Sequence, residues 1–149
     1  MYYFAYGSNL NWGQMQRRCP SACFVDVAKL PNHRLAFTRF SSSRGCGVAD
    51  IVEAEDSSVW GVVYEITDPA DVQRLDRYEG VPEAYVRSST AVFLCKTPEE
   101  AVNAATYFAC KQPDPPLPNA EYKALIVAGA KFWRLPAEYI EELGRISIA

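Results

Sequence analysis

Histidine is almost absent from this chain: His33 is the only one. A lone histidine in Leu30-Pro31-Asn32-His33-Arg34 reads as a solvated residue in a turn between strands. A Ser/His/Asp or Cys/His mechanism therefore has one poorly placed base to rest on, and a histidine-based metal site has no ligand set. The cysteines are few and odd in number, five in all, at positions 19, 23, 46, 95 and 110. Cys19 and Cys23 are followed by no second pair that would complete a zinc set. Free, mostly buried thiols in a reducing cytoplasm are expected. No basic run occurs, and the net charge of -3 favours neither nucleic acid nor an anionic membrane. No apolar stretch approaches the length of a membrane span, and no basic-then-apolar leader opens the chain. What proton chemistry there is falls to carboxylates, tyrosines or lysines.

What is present is apolar and aromatic. Hydrophobic residues make up 49% of the 149 positions, enough for a sizeable core in one domain spanning residues 1–149. The chain is organised around its start. Tyr2 to Tyr6 reads as a buried strand, since aromatics suit a pleated surface and no charge interrupts them. Gly7-Ser8-Asn9 then turns the chain; Gly tolerates positive φ and close approach, and Ser and Asn are short polar residues able to cap a helix after the turn. Such a turn aims several N–H groups the same way, which suits an anion or oxyanion. A plain strand and turn is the alternative reading from spacing alone.

Further strands are expected over 24–30, 34–40, 48–54, 59–66, 85–95 and 101–110, with turns at Pro31-Asn32 and at 55–58. Ser41 to Gly47 is a flexible loop by composition. Helices are expected over 11–18, capped by Asn9 or Asn11, and from Pro69 to Glu79, capped by Thr67-Asp68 and stopped by Gly80. Val72, Leu75 and Tyr78 form the apolar stripe of the second helix. Pro-rich residues 112–118 form a stiff loop, Asn119 caps a helix with Tyr122, Leu125, Ile126 and Ala130 inward, and Ala137 to Leu143 is the last helix. Six or seven short strands with peripheral helices make an α+β domain with an antiparallel or mixed sheet, suited to closing into a barrel.

Among the carboxylates, Glu79 stands out. It lies in the last turn of its helix, where the dipole disfavours negative charge, and apolar Tyr78 and Val81 flank it. Both effects push its pKa upward, as suits a group that takes and returns a proton. The competing reading is an exposed glutamate at a helix end. Asp76, on the same face, and Glu65 are weaker candidates, and Asp76 also reads as a surface residue. Tyr85, Tyr107 and Tyr122 are either cleft phenols or packing residues.

Taken together, Tyr3-Phe4-Ala5-Tyr6-Gly7-Ser8-Asn9-Leu10, Val59-Trp60-Gly61-Val62-Val63-Tyr64, Leu75-Asp76 with Glu79-Gly80-Val81, Tyr85-Val86, Tyr122-Lys123, Gly129-Ala130-Lys131, Leu135-Pro136 and Glu138-Tyr139 resemble the gamma-glutamylcyclotransferase family, in order and over nearly the whole chain. Tyr-Gly-Ser-Asn sets it apart from the gamma-glutamylamine branch, whose loop looks like Tyr-Gly-Thr-Leu. The resemblance implies a small mixed β-barrel of six to seven strands flanked by helices. It implies conversion of an L-γ-glutamyl amino acid, or γ-glutamyl amide, to 5-oxoproline and the free amine, without metal or cofactor. By position, Glu79 matches the catalytic acid/base, and Tyr6, Gly7, Ser8, Asn9 and Leu10 match the substrate-binding loop. Tyr85, Tyr107 and Tyr122 fall where the family places pocket tyrosines. Members are often homodimers. The alternatives are a relative that removes a γ-glutamyl group from a specialised metabolite, glutathione-specific cyclotransfer, and a non-catalytic γ-glutamyl or 5-oxoproline binder. The enzyme readings require the loop N–H groups and Glu79 to line one cavity.

Overall fold

Five strands close on themselves in the computed structural model of the chain, which describes residues 1–149. They are β1 (Tyr2–Ala5), β2 (Ala22–Ser41), β3 (Cys46–Ile66), β4 (Tyr85–Leu94) and β5 (Ala101–Ala109). The order around the barrel is β1-β3-β2-β4-β5. All neighbours run antiparallel except β5 and β1, which meet in parallel at Tyr3 and Ala105 and close the ring. That short seam is reinforced by side chains. Buried Thr106 donates to the Phe4 carbonyl at 2.9 Å, and the Tyr6 hydroxyl donates to the Tyr107 carbonyl.

The strand count corrects the expectation of six or seven. The stretches 24–30 and 34–40 are one strand, β2, and 48–54 and 59–66 are one strand, β3. Pro31-Asn32 and residues 55–58 do not turn the chain. They face each other as irregularities in one long hairpin, with Pro31 opposite Ser58 and His33 opposite Glu53. Asn32 and Asp56 take positive φ there, at 58° and 62°. Turn-forming residues on both strands bend a ladder without ending it, because a bulge needs the same backbone tolerance as a turn. His33 consequently sits within β2, its ring Nδ1 2.9 Å from the Pro31 carbonyl.

The buried core includes Phe4, Leu30, Ile51, Val59, Val62, Val63 and Val92. Gly61 is required at the β1 contact, since a Cβ there would run into the Ala5 carbonyl and the Phe4 ring. A one-turn 3-10 helix (Ser8–Leu10) leads from β1 into α1 (Trp12–Arg18). Of the two candidate caps it is Asn11 that accepts from the Gln14 N–H, at 3.0 Å. α2 (Pro69–Glu79) starts where Asp68 accepts from the Ala70 N–H and ends at left-handed Gly80, φ 69°. α3 (Ala120–Phe132), capped by Asn119, and α4 (Ala137–Gly144) complete the chain. α3 buries Tyr122, Ile126, Gly129 and Ala130; Leu125 is only half-buried. Gly129 lets α3 lie directly on Leu10, whose backbone a Cβ at 129 would strike.

Candidate active site

The turn after β1 has unused donors. Within it the Leu10 N–H returns to the Gly7 carbonyl at 3.0 Å, and the Asn11 N–H to that of Ser8. The N–H groups of Gly7, Ser8 and Asn9 have no backbone acceptor, as the geometry of a helical first turn dictates. Gly7 is not left-handed, its φ being -111°. A Cβ there would meet Ala49 Cβ at 3.4 Å and the Tyr122 hydroxyl at 3.7 Å, so glycine keeps this side of the cavity open.

Asn9 is buried and its amide is held in one orientation. Its Oδ1 accepts from Gln14 Nε2 at 2.9 Å and from Arg18 Nη1 at 3.2 Å. Its Nδ2 therefore faces the other way, donating to the Tyr3 hydroxyl at 3.0 Å and to Glu79 Oε1 at 3.3 Å. The Asn9 carbonyl is tied down by the Tyr64 hydroxyl at 2.8 Å. Leu10, in contrast, is fully buried under α3 and lines no part of the cavity. Its carbonyl accepts from Trp133 Nε1. Of the expected loop residues, Leu10 is the one whose side chain anchors the turn from behind.

Glu79 arrives from the far side, on the last residue of α2. Its side chain retains 16% of its accessible surface, and Arg18 Nη1 lies 3.9 Å from Oε1. Burial pushes its carboxyl up from 4.5 to about 7, while Arg18, Arg44 and the Asn9 hydrogen bond pull it partly back. The desolvation comes from the pocket and not from Tyr78, which is 55% exposed. Tyr78 instead carries the Arg18 guanidinium on its ring, 4.8 Å from the centroid. Asp76 forms no carboxylate pair with Glu79. It accepts from the Tyr107 hydroxyl at 2.6 Å and is held by Arg87 at 2.9 Å. Glu65 is exposed on β3, opposite Tyr2.

Tyr85, Tyr107 and Tyr122 are all buried and all on the same cavity. The Tyr85 hydroxyl donates to the Ala49 carbonyl, and the Tyr122 hydroxyl accepts from the Ala49 N–H at 3.0 Å. Burial holds the phenols of all three well above their ordinary range, so they stay neutral. An inner cleft of about 30 Å³ is lined by Tyr6, Gly7, Ser8, Asn9, Glu79 and these tyrosines, with Tyr3 and Ala49. It opens past Ser8, Glu79, Tyr85 and Tyr122 into an outer cavity of about 270 Å³. No cysteine lines either part, and no three His, Cys, Asp or Glu side chains gather where they would share a metal ion.

Sequence reasoning missed Tyr3, Gln14, Arg18 and Arg44. Tyr3 shares one face of β1 with Ala5, which the two-residue strand period signals. Arg18 closes the last turn of α1, and as a pocket cation it had no distinguishing pattern. Arg44 sits in a serine-rich tip with no periodicity at all.

The sequence model of the AIG2-like family matches residues 58–143. Gamma-glutamylcyclotransferases of Mus musculus and Homo sapiens are 35% identical over 149 residues, covering 97% of this chain and 77% of each relative. A solved gamma-glutamyl cyclotransferase superposes with a TM-score of 0.92 at 32% identity, over 100% of this chain and 89% of that one. With the barrel, the Tyr-Gly-Ser-Asn turn and Glu79 in one cavity, these likenesses show that the chain belongs to the AIG2-like family, within its gamma-glutamylcyclotransferases.

Proposed function

We infer that this cavity closes a γ-glutamyl group on itself, releasing 5-oxoproline and a free amine, with Glu79 moving the protons. One observation carries the reading: Glu79 and the Gly7–Asn9 turn, whose N–H groups have no backbone acceptor, line the same small cleft, joined through the Asn9 amide at 3.3 Å. The substrate's α-nitrogen attacks its own γ-carbonyl carbon. That C–N bond forms, the γ-amide C–N bond breaks, and the two protons lost by the α-nitrogen leave on the departing amine. Because nucleophile and electrophile belong to one molecule, proximity costs the protein only the folding of the glutamyl chain.

A carboxyl group near 7 divides its time between base and acid at neutral pH, as both transfers require. Such proton relay is worth roughly 10²–10⁴-fold. The turn's N–H groups serve the oxyanion or the α-carboxylate, and one donor at an oxyanion contributes about 2.7–4 kcal/mol. The neutral tyrosines wall the cleft and keep water from the reacting atoms. The five unpaired thiols suit the reducing cytoplasm, and no helix is long and apolar enough to cross a membrane.

The test is incubation with γ-glutamyl-alanine. 5-Oxoproline and alanine should appear in equal amounts, with kcat/KM rising through an acid limb near pH 7 as Glu79 ionises. Binding of 5-oxoproline without turnover of γ-glutamyl-alanine, a γ-glutamyl amide or glutathione would make the protein a sensor instead.

A further inference from the structure

The outer cavity is electrostatically lopsided. Its lining includes three guanidiniums, Arg18, Arg39 and Arg44, against a single carboxylate, Glu79. Arg18 is committed to Glu79 and Asn9. Arg39 and Arg44 are half-buried and have no carboxylate partner, whereas Arg74, Arg87 and Arg145 each pair with one.

Arg44 is also held in place. Gln14 is buried, and its amide nitrogen is used up on Ser8 and Asn9, at 2.9 Å each. Its amide oxygen therefore faces Arg44 and takes Nη2 at 2.7 Å. The guanidinium lies over the Tyr122 ring, 5.3 Å from its centroid, and touches Ser8 Oγ at 3.4 Å. These contacts engage one nitrogen and one face, so its remaining donors are free for a planar anion. Arg44 lines the outer cavity and not the inner cleft. An anion it binds lies beyond the glutamyl group, on the departing side of the amide.

We propose that Arg44, with Arg39 lining the same cavity, anchors a carboxylate of the leaving amine, so that this site selects γ-glutamyl conjugates whose leaving group is an amino acid with a free carboxylate over those whose leaving amine is uncharged. This rests on the cyclotransfer reading and adds a specificity determinant to it. Arg44 here is a binding residue on the side of the serine-rich tip; it takes no part in proton transfer. Losing it also removes a cation that holds the Glu79 carboxyl down. That effect is common to all substrates, so the ratio between two substrates carries the information and neither rate does alone.

The experiment compares γ-glutamyl-alanine with γ-glutamyl-alaninamide, which lacks only the terminal carboxylate, by 5-oxoproline release. The wild type should favour the acid by about ten-fold in kcat/KM, the low end for a charge-assisted contact in a half-open site. Arg44→Gln should bring the two substrates within about two-fold of each other, mainly through KM for the acid. Arg44→Lys, which keeps the charge, should retain most of the preference, and it stands in if the glutamine variant fails to fold. Equal slowing of both substrates in Arg44→Gln would mean that Arg44 serves the glutamyl group they share, and the proposal would be wrong. A wild type that prefers the amide would also overturn it. A wild type that releases 5-oxoproline from neither substrate defeats the cyclotransfer reading itself, and this inference with it.

Discussion

At the scale of the residue, the site is a set of polar groups each fixed by another. Asn9 is oriented by Gln14 and Arg18, and in turn presents its Nδ2 to Glu79. Asp76 is held by Arg87 and holds Tyr107. Glu79 was legible in the sequence because a glutamate just before a glycine stop has a stated electrostatic consequence. The upward direction of its pKa agrees with that reasoning, but its main cause is burial in a cleft whose other walls come from distant strands. Tyr78 failed the helical stripe for a related reason. The last turn of α2 overhangs the cavity mouth and has no core to pack on, so Tyr78 stays 55% exposed under Arg18. The raised carboxyl has a signed effect on stability. Folded Glu79 keeps its proton up to about pH 7, whereas the unfolded chain releases it near 4.5, so stability from this group is full below 4.5 and is lost as the pH rises to 7. Glu79→Gln should therefore gain on the wild type between pH 5 and pH 8, by up to roughly 3 kcal/mol in urea unfolding. A difference that does not change with pH would mean the carboxyl titrates normally.

At the scale of the element, the ends of segments were readable and their fusions were not. Caps at Asp68 and Asn119 and the stop at Gly80 stand where their side-chain chemistry puts them. The apparent turns at Pro31-Asn32 and 55–58 became a bend in one hairpin, because a local pattern does not reveal whether the partner strand bends alongside. The stretch expected as a loop over Ser41–Gly47 is a tight hairpin turn at 42–45, with Ser41 in β2 and Cys46 and Gly47 in β3; its Arg44 is held by Gln14, and the Asn119 side chain donates to the Arg44 carbonyl at 3.1 Å. α3 has a positional role that its apolar pattern did not express. It lies on the 3-10 turn at Gly129 and brings Tyr122 to the Gly7 side of the cleft. Gly129→Ala forces a methyl group into the Leu10 backbone, and should cost about 2–3 kcal/mol of stability. Thermal unfolding checks this. A variant as stable as the wild type, with unchanged turnover, would show that α3 does not fix the turn.

At the scale of the whole molecule, the cleft exists only because the barrel closes. Its walls come from β1, the turn after it, β3, α2, β4, β5 and α3, so nearly the full length of the chain contributes. The seam joins Thr106 to Phe4, 102 residues apart, and the Tyr6 hydroxyl crosses it to Tyr107. No single-sequence pattern announces a pairing of that range, which is why closure was readable as an architecture and not as a register. Tyr85, Tyr107 and Tyr122 line one cleft with Glu79, while the Leu10 side chain packs behind its turn under α3. The most direct measurement is 5-oxoproline release from γ-glutamyl-alanine by Glu79→Gln, with 5-oxoproline binding measured in parallel. Glutamine keeps an acceptor for Asn9 but takes no proton, so binding should persist while kcat falls by about 10²-fold or more. Release at a near-normal rate would contradict the assignment of Glu79 as the proton carrier.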